Sequence, residues 1–516
     1  MGDLSEASFA ARPRSRATWA LVAAVIGSSM SFIDGTAVNV ALPILQRDLH
    51  ASAAAGQWVV ESYALFLSAL ILIGGSLGDL YGRKRIYGIG IAIFALASIV
   101  CALAPSIEWL VAGRSLQGLG GALATPGSLA LISANFSGEA RGRAIGTWSG
   151  ASAITAAFGP VLGGTLVQLG SWRWVFIINI PLAALVLAIL VFRVDESRDG
   201  AASRRVDVRG GALATIGLGA LVYGLIALQS GAMETTSLVA IVIGIVALVG
   251  FAVFEAREAH PMIPLALFRV RPFALANAYT LLLYAALGGS LFFVPFDLIN
   301  VHHYPPSLAG AALLPMIAIL VIFSRTAGGL VARIGARLPL AAGATIAACG
   351  FVLFARASDG GSYWTTFFPA AIVLGLGLAA LVAPLTTTVM DALEPAHAGI
   401  ASGINNAVSR TAGLIAIAVL GIVLAATFSA TFDQRLARAH VSAGTLATLA
   451  RERATIVAGH VPAGIASSSD RRIVGEAIAV AYSDGFRTVM LFSAVLALLS
   501  APIALDRSFR RLAPSR

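Results

Sequence analysis

Fourteen stretches of this chain are apolar for long enough to cross a lipid bilayer, and most formal charges fall between them. A spanning helix needs about 20 mostly apolar residues. The stretches are 17–42, 54–78, 86–104, 109–133, 143–168, 174–192, 210–229, 236–255, 273–299, 307–329, 338–355, 363–390, 399–427 and 486–505. Hydrocarbon offers no water to the backbone, so such segments must close their hydrogen bonds within a helix. The reading is an all-α polytopic membrane protein with 14 transmembrane helices. Composition agrees: 12% of residues are charged, about half the fraction of a soluble domain.

The net charge of +10 is a topology signal. With the N-terminus in the cytoplasm, the inner side collects Arg12, Arg14, Arg16, Arg83, Lys84, Arg85, Arg141, Arg143, Arg193, Arg257, Arg271, Arg333 and Arg337, among others. The short outer loops hold only Arg47, Arg173 and Arg356. Basic residues stay on the cytoplasmic side of short loops, so both termini are expected inside. The charge is therefore not a nucleic-acid footprint. The first run, about 26 residues long, is too long for a cleaved signal peptide and is expected to remain as the first helix. The seven histidines lie near loops without metal-ligand spacing, and Cys101 and Cys349 have no such pattern either. No H-E-x-x-H, G-x-S-x-G or phosphate-cradling loop occurs. No metal or cofactor is expected, and an enzyme or ATP-driven pump is disfavoured.

An internal repeat organises the chain. Residues 74–85 read "GGSLGDLYGRKR" and residues 328–337 read "GGLVARIGAR". Aligning Gly82 with Gly335 sets Asp79 on Ala332 and Leu77 on Leu330. Repeated bundles with a site between them are a common transporter plan. The expected division is a six-helix bundle at 1–192, a linker and two inserted helices at 193–272, and a second six-helix bundle at 273–516. A long extracytoplasmic segment, 428–484, belongs to the second bundle. Within it, 470–482 reads either as a short helix lying on the membrane face or as a solvated loop.

Three glycine-bearing motifs stand out. In 74–85, Gly75, Gly78 and Gly82 permit a tight turn. Asp79 can sit near a helix N-terminus or accept from Arg83. Arg83, Lys84 and Arg85 anchor the loop at the anionic leaflet. In "RSLQGLGG", Arg114, Gly118, Gly121 and Thr125 share one helical face with Gln117 beside it. In 146–164, the pairs Gly146/Gly150 and Gly159/Gly163 allow close helix packing. Pro160 bends that helix, and Gly164 follows.

Polar groups inside the spans mark the candidate site. Asp34 sits halfway along the first run, in "SFIDGTAVNVALP". A carboxylate there costs roughly 2.5–3.5 kcal/mol, so a wet cavity, a cation or a proton must offset it. Gly27, Ser31, Asp34 and Asn39 form a polar stripe, as do Gln57, Glu61 and Ser68 on the second span. Arg114 is the candidate partner of Asp34. Asp297 lies near the outer end of the ninth span, and Asn405, Asn406, Ser409 and Arg410 cluster on the thirteenth. Arg325 can snorkel from the tenth. Asp34 with Arg114 is read as the proton-coupling pair and Glu61 as a second carboxyl. Asn39, Gln57, Ser68, Gln117, Asp297, Asn405, Asn406 and Arg410 are read as cavity-lining groups.

These blocks together resemble the major facilitator superfamily. "GGSLGDLYGRKR" resembles its loop signature, "RSLQGLGGAL" its fourth-helix arginine motif, and "GPVLGG" its antiporter motif. The fourteen-span layout and "SFIDGTAVNVALP" are similar to its fourteen-helix drug:proton antiporters. That resemblance implies alternating access, with protons entering and an amphipathic or drug-like compound leaving. An endogenous lipid or metabolite is the alternative cargo. It also implies a monomer in the cytoplasmic membrane of a bacterium. The second half departs from the pattern at Ala332.

Overall fold

The computed structural model describes residues 14–198, 207–230, 235–258, 261–356, 362–393, 398–439, 441–457, 461–462 and 464–510. Arg12 and the linker residues 199–206 lie outside the described residues, as do the side chains of Arg325, Ala332 and Arg333. The helices are α1 (Arg14–Asp48), α2 (Ala53–Tyr81), α3 (Arg83–Ala102), α4 (Ile107–Asn135), α5 (Gly138–Leu169), α6 (Trp174–Ile177), α7 (Asn179–Arg193), α8 (Val208–Ala227), α9 (Thr235–Glu255), α10 (Arg271–Phe296), α11 (Pro306–Ala311), α12 (Leu314–Ile334), α13 (Arg337–Arg356), α14 (Phe367–Asp391), α15 (Ala398–Arg438), α16 (Ala443–Arg451), α17 (Arg453–Ile456) and α18 (Ser468–Ala504).

Among the described residues, 13 helical segments are long and apolar enough to cross a membrane. The fourteenth is α4, 29 residues long and packed along α2 and α3. It falls short on apolarity because it carries Glu108, Arg114 and Gln117. Consecutive spans alternate direction. One end of the molecule, here the basic end, holds Arg16, the 82–85 loop, Arg193 and Arg271. The far end holds Asp48, Ser106, Trp172 and Pro306.

The edges of the spans differ from expectation in three places. The ninth span, expected to 299, passes through Pro295 as α10, which ends at Phe296 and closes in a π-turn, Asp297–Val301. The tenth is split into α11 and α12. The last span begins at Ser468 rather than 486. Residues 470–482 are thus not a separate surface helix but the first third of α18. Val474, Ala477, Ile478, Ala481 and Tyr482 are buried there. Likewise α15 runs on to Arg438. Asp470 fastens this extension by accepting from the Ser442 amide at 3.1 Å and from the Ser442 and Thr445 hydroxyls at 2.7 Å. Arg453 pairs with Asp433 at 2.7 Å.

The two bundles pack together at the far end. One core joins Ala37, Ala41, Leu45, Val59 and Trp172 to Phe292, Phe296 and Ala309. The basic half of the first bundle keeps its own core, with Ala20, Ala23, Tyr87, Leu131 and Leu190. The inserted helices α8 and α9 pack on each other, and α8 also leans on α2 and α15. Leu218 and Val222 of α8 join Leu65, Ala69, Leu414 and Ala418 in a lateral seam.

The basic-end turn follows from its glycine. Gly82 has φ +116°, a backbone that L side chains rarely adopt. Gly335 has φ +76°, and these are the two positive-φ glycines among the described residues. The repeat seen in sequence is thus a repeat of backbone geometry. Asp79 accepts from Arg83 Nε at 2.8 Å. The N-terminus of α3 is capped by Glu196, whose carboxylate accepts from the Lys84 and Arg85 amides at 3.0 Å each. Lys84 Nζ donates to the Val194 carbonyl at 2.7 Å. Arg83 and Lys84 are therefore held by protein groups, and Arg85 is the exposed member of the trio. Losing a capping carboxylate costs about 1 kcal/mol. Glu196→Ala is expected to lower the thermal midpoint by a few degrees in a detergent melting assay, with transport retained.

Candidate functional site

The buried polar groups of the first bundle converge on Asp34. Asp34 is fully buried, and so is Arg114, 1% exposed. Arg114 NH1 donates to Asp34 Oδ2. Asp34 Oδ1 accepts from Asn179 Nδ2 at 2.9 Å and from Gln117 Nε2 at 3.2 Å. Both carboxylate oxygens are thus occupied as acceptors by donors from α4 and α7.

Arg114 is equally committed. Its Nε donates to the Val59 carbonyl at 2.9 Å and its NH1 to Gln117 Oε1 at 2.8 Å. The Tyr63 ring lies 4.3 Å from its Cζ. Ser98 completes the network by accepting from Gln117 at 2.8 Å and from Asn179 at 3.3 Å. The cluster explains why α4 tolerates an arginine at membrane depth: a planar, weakly hydrated cation meets a carboxylate, a carbonyl, an amide and a π face. Removing one partner of such a buried pair costs about 3–5 kcal/mol. Asn179, Ser98 and Tyr63 were not singled out for this role from sequence. The signal for Asn179 was a polar side chain in "FIINIP", opening an otherwise apolar span.

The remaining sequence candidates divide into groups. Glu61 is fully buried and neither of its oxygens has a hydrogen-bond partner. Ser68 Oγ and Asn39 Oδ1 are also buried without partners. Gln57 accepts from Gln229 Nε2 at 2.7 Å, tying α2 to the inserted pair. Asn405 donates to Asn277 at 3.2 Å and Thr280 at 2.8 Å, tying α15 to α10. Asn406 is exposed and bonds within its own helix. Arg410 is partly buried, with its Nε out of solvent and donating to nothing. Asp297 is not brought to Asp34. It lies buried in the second bundle, its Oδ2 3.4 Å from His302 Nε2, with Tyr482 of α18 nearby. The π-turn that closes α10 holds it there.

The far end is shut by the "GPVLGG" helix. A methyl added at Gly163 would lie 2.7 Å from Ala37, and one at Gly164 would lie 2.1 Å from the Pro306 carbonyl. Across the same seam, a methyl at Gly310 would lie 2.1 Å from the Pro160 carbonyl. Gln168 accepts from Ser307 beside it. At Gly159 the crowding atom is Thr36 Oγ1, at 1.9 Å. The other expected close-packing pair differs: Gly146 and Gly150 have nothing within 4 Å of an added methyl. Gly78, in the last turn of α2 at the basic end, is equally open, and Gly75 meets only Pro126 at 3.6 Å. A cleft of about 470 Å³ opens there beside Ala17, Leu21, Asn135 and Thr147. The bundles are therefore closed at the far end, and the cleft at the basic end lies within the first bundle, between α1, α4 and α5.

Comparison with known proteins agrees with this architecture. The family model of the Major Facilitator Superfamily matches residues 24–418. A "Multidrug resistance protein Stp" of Mycobacterium tuberculosis (strain CDC 1551 / Oshkosh) is 39% identical over 458 residues, covering 86% of this chain and 83% of that protein. A "Tetracenomycin C resistance and export protein" of Streptomyces glaucescens is 32% identical over 490 residues, covering 94% and 90%. Among solved structures, a bacterial homolog of the human lysosomal transporter Spinster superposes with a TM-score of 0.69 at 17% identity, covering 98% of this chain and all of that one. This chain belongs to the Major Facilitator Superfamily of membrane transporters.

Proposed function

We propose that the protein is a proton-coupled antiporter that exports amphipathic or drug-like compounds by alternating access. The observation that carries this reading is the buried Asp34–Arg114 pair, set beneath a far end where the two bundles close against each other. A proton arriving at Asp34 removes the charge that holds Arg114, and the freed guanidinium must find other partners. Proton binding thereby favours a different packing of α1 against α4. In the present state both Asp34 oxygens accept hydrogen bonds, as they would after proton release. With the basic end in the cytoplasm, release would be to the inside and loading would follow opening of the far end.

The relatives named above support a drug-like cargo, and the crowded Gly163–Gly164 seam supports a rocking gate. Glu61 stands as the second carboxyl, beside the seam that α2 shares with α8 and α15. We place the protein in the cytoplasmic membrane of a bacterium, acting as a monomer without a cofactor. Purified protein in liposomes with an imposed pH gradient tests the reading. A panel of cationic dyes, neutral drugs and lipids is expected to include compounds that accumulate against their gradient only when the gradient is present. Equal movement without it would argue for a channel or a facilitator. In the same assay Glu61→Gln is expected to reduce accumulation about threefold to tenfold. Unchanged accumulation would remove Glu61 from the coupling.

A further inference from the structure

Arg410 is a cation at membrane depth with no counter-charge among the described residues. It lies twelve residues into α15 from Ala398, about 18 Å along the helix. That is near the middle of a hydrocarbon layer about 30 Å thick. Its electrostatic neighbours are two tyrosines, Tyr63 of the first bundle and Tyr284 of the second. No carboxylate lies within ion-pair distance among the described residues. The other buried acids named above do not serve it: Asp34 holds Arg114, Asp297 faces His302, and Glu61 has no hydrogen-bond partner. Asn405 is spent on Asn277 and Thr280. Among the described residues, Arg410 is therefore a positive charge between the bundles without a compensating anion.

An arginine inside a membrane marks a functional site, and its partner has to be named. Among the described residues no anion meets it. We infer that the partner comes with the cargo and that Arg410 binds the carboxylate of an acidic amphipathic compound. A guanidinium offers a planar fork that matches a carboxylate with two parallel hydrogen bonds. Asn406, one helical turn before it and exposed, provides an amide on the same face. The Tyr63 and Tyr284 rings give the apolar body aromatic walls. Tyr63 also stacks on Arg114, so one ring separates the cargo's anion from the proton site. This deepens the exporter reading and rests on it. It assigns cargo charge, which that reading leaves open.

The test uses full-length protein in liposomes with a pH gradient and three probes: dansyl-aminoundecanoic acid, its methyl ester, and ethidium. Wild type is expected to take up the acid with a KM at least tenfold below that of the ester. In Arg410→Gln this preference should collapse to near unity. Arg410→Lys, which keeps the charge and loses the fork, should show an intermediate preference. Dansyl fluorescence titration in detergent reads the same preference as binding if Arg410→Gln transports nothing. A wild type without acid preference, or an Arg410→Gln variant that retains it, overturns the assignment. Movement of ethidium or ester but not acid overturns this inference alone. Movement of none of the three overturns the exporter reading with it.

Discussion

Asp34→Asn is expected to abolish pH-driven accumulation, by about a hundredfold or more, while the protein still folds and exchanges substrate down its gradient. Asparagine keeps the shape of the side chain and one oxygen to accept from Arg114. It cannot bind and release a proton. The state-dependent step is lost, but the binding space between the bundles is not built from Asp34. The cost in stability is expected at the lower end of the range for breaking a buried pair, because the substituted amide still accepts. A melting curve in detergent and a counterflow assay separate the two effects. Coincident loss of folding, counterflow and accumulation would mark the pair as structural.

Gly164→Val is expected to act on the gate instead. Even a methyl there would fall 2.1 Å from the Pro306 carbonyl, and that neighbour is backbone, which cannot swing aside. The substitution should prevent closure of the far end and leave Asp34 and Arg114 intact. Transport is expected to fall more than tenfold. Single cysteines placed at Gln168 and Ser307 should become more reactive to an impermeant maleimide added from the far side. Gly150→Ala is the contrasting case. An added methyl meets nothing within 4 Å in this state, so its transport defect, if any, must arise in the alternate state. Equal far-end reactivity in wild type and Gly164→Val would contradict the gate.

Much of the fold was legible because bilayer thickness imposes a run length on every span. What that rule could not show is how far a helix continues in water. The tails of α15 and α18 are amphipathic rather than uniformly apolar. Their helical state depends on contacts such as Asp470 with Ser442 and Thr445, 28 and 25 residues away. The pairing of Asp34 with Arg114 was legible from cost alone, since each needs the other at that depth. The roles of Asn179 and Ser98 were not, because a single amide or hydroxyl is cheap enough in a span to need no partner. Gly82 and Gly335 were legible as equivalents from the repeat, whereas the Glu196 cap comes from 112 residues away and leaves no local pattern. Asp297 was legible as a polar group near the outer end of its span, but not its approach to His302. The π-turn that directs it to His302 has no sequence signature here.

The coupling claim is tested most directly by following the proton itself. Liposomes holding the purified protein and the pH dye pyranine, with no imposed gradient, are given an outward gradient of a transported compound. The account predicts an immediate internal acidification with wild type and none with Asp34→Asn, although the compound still leaves in both. Acidification of equal size in Asp34→Asn would contradict it.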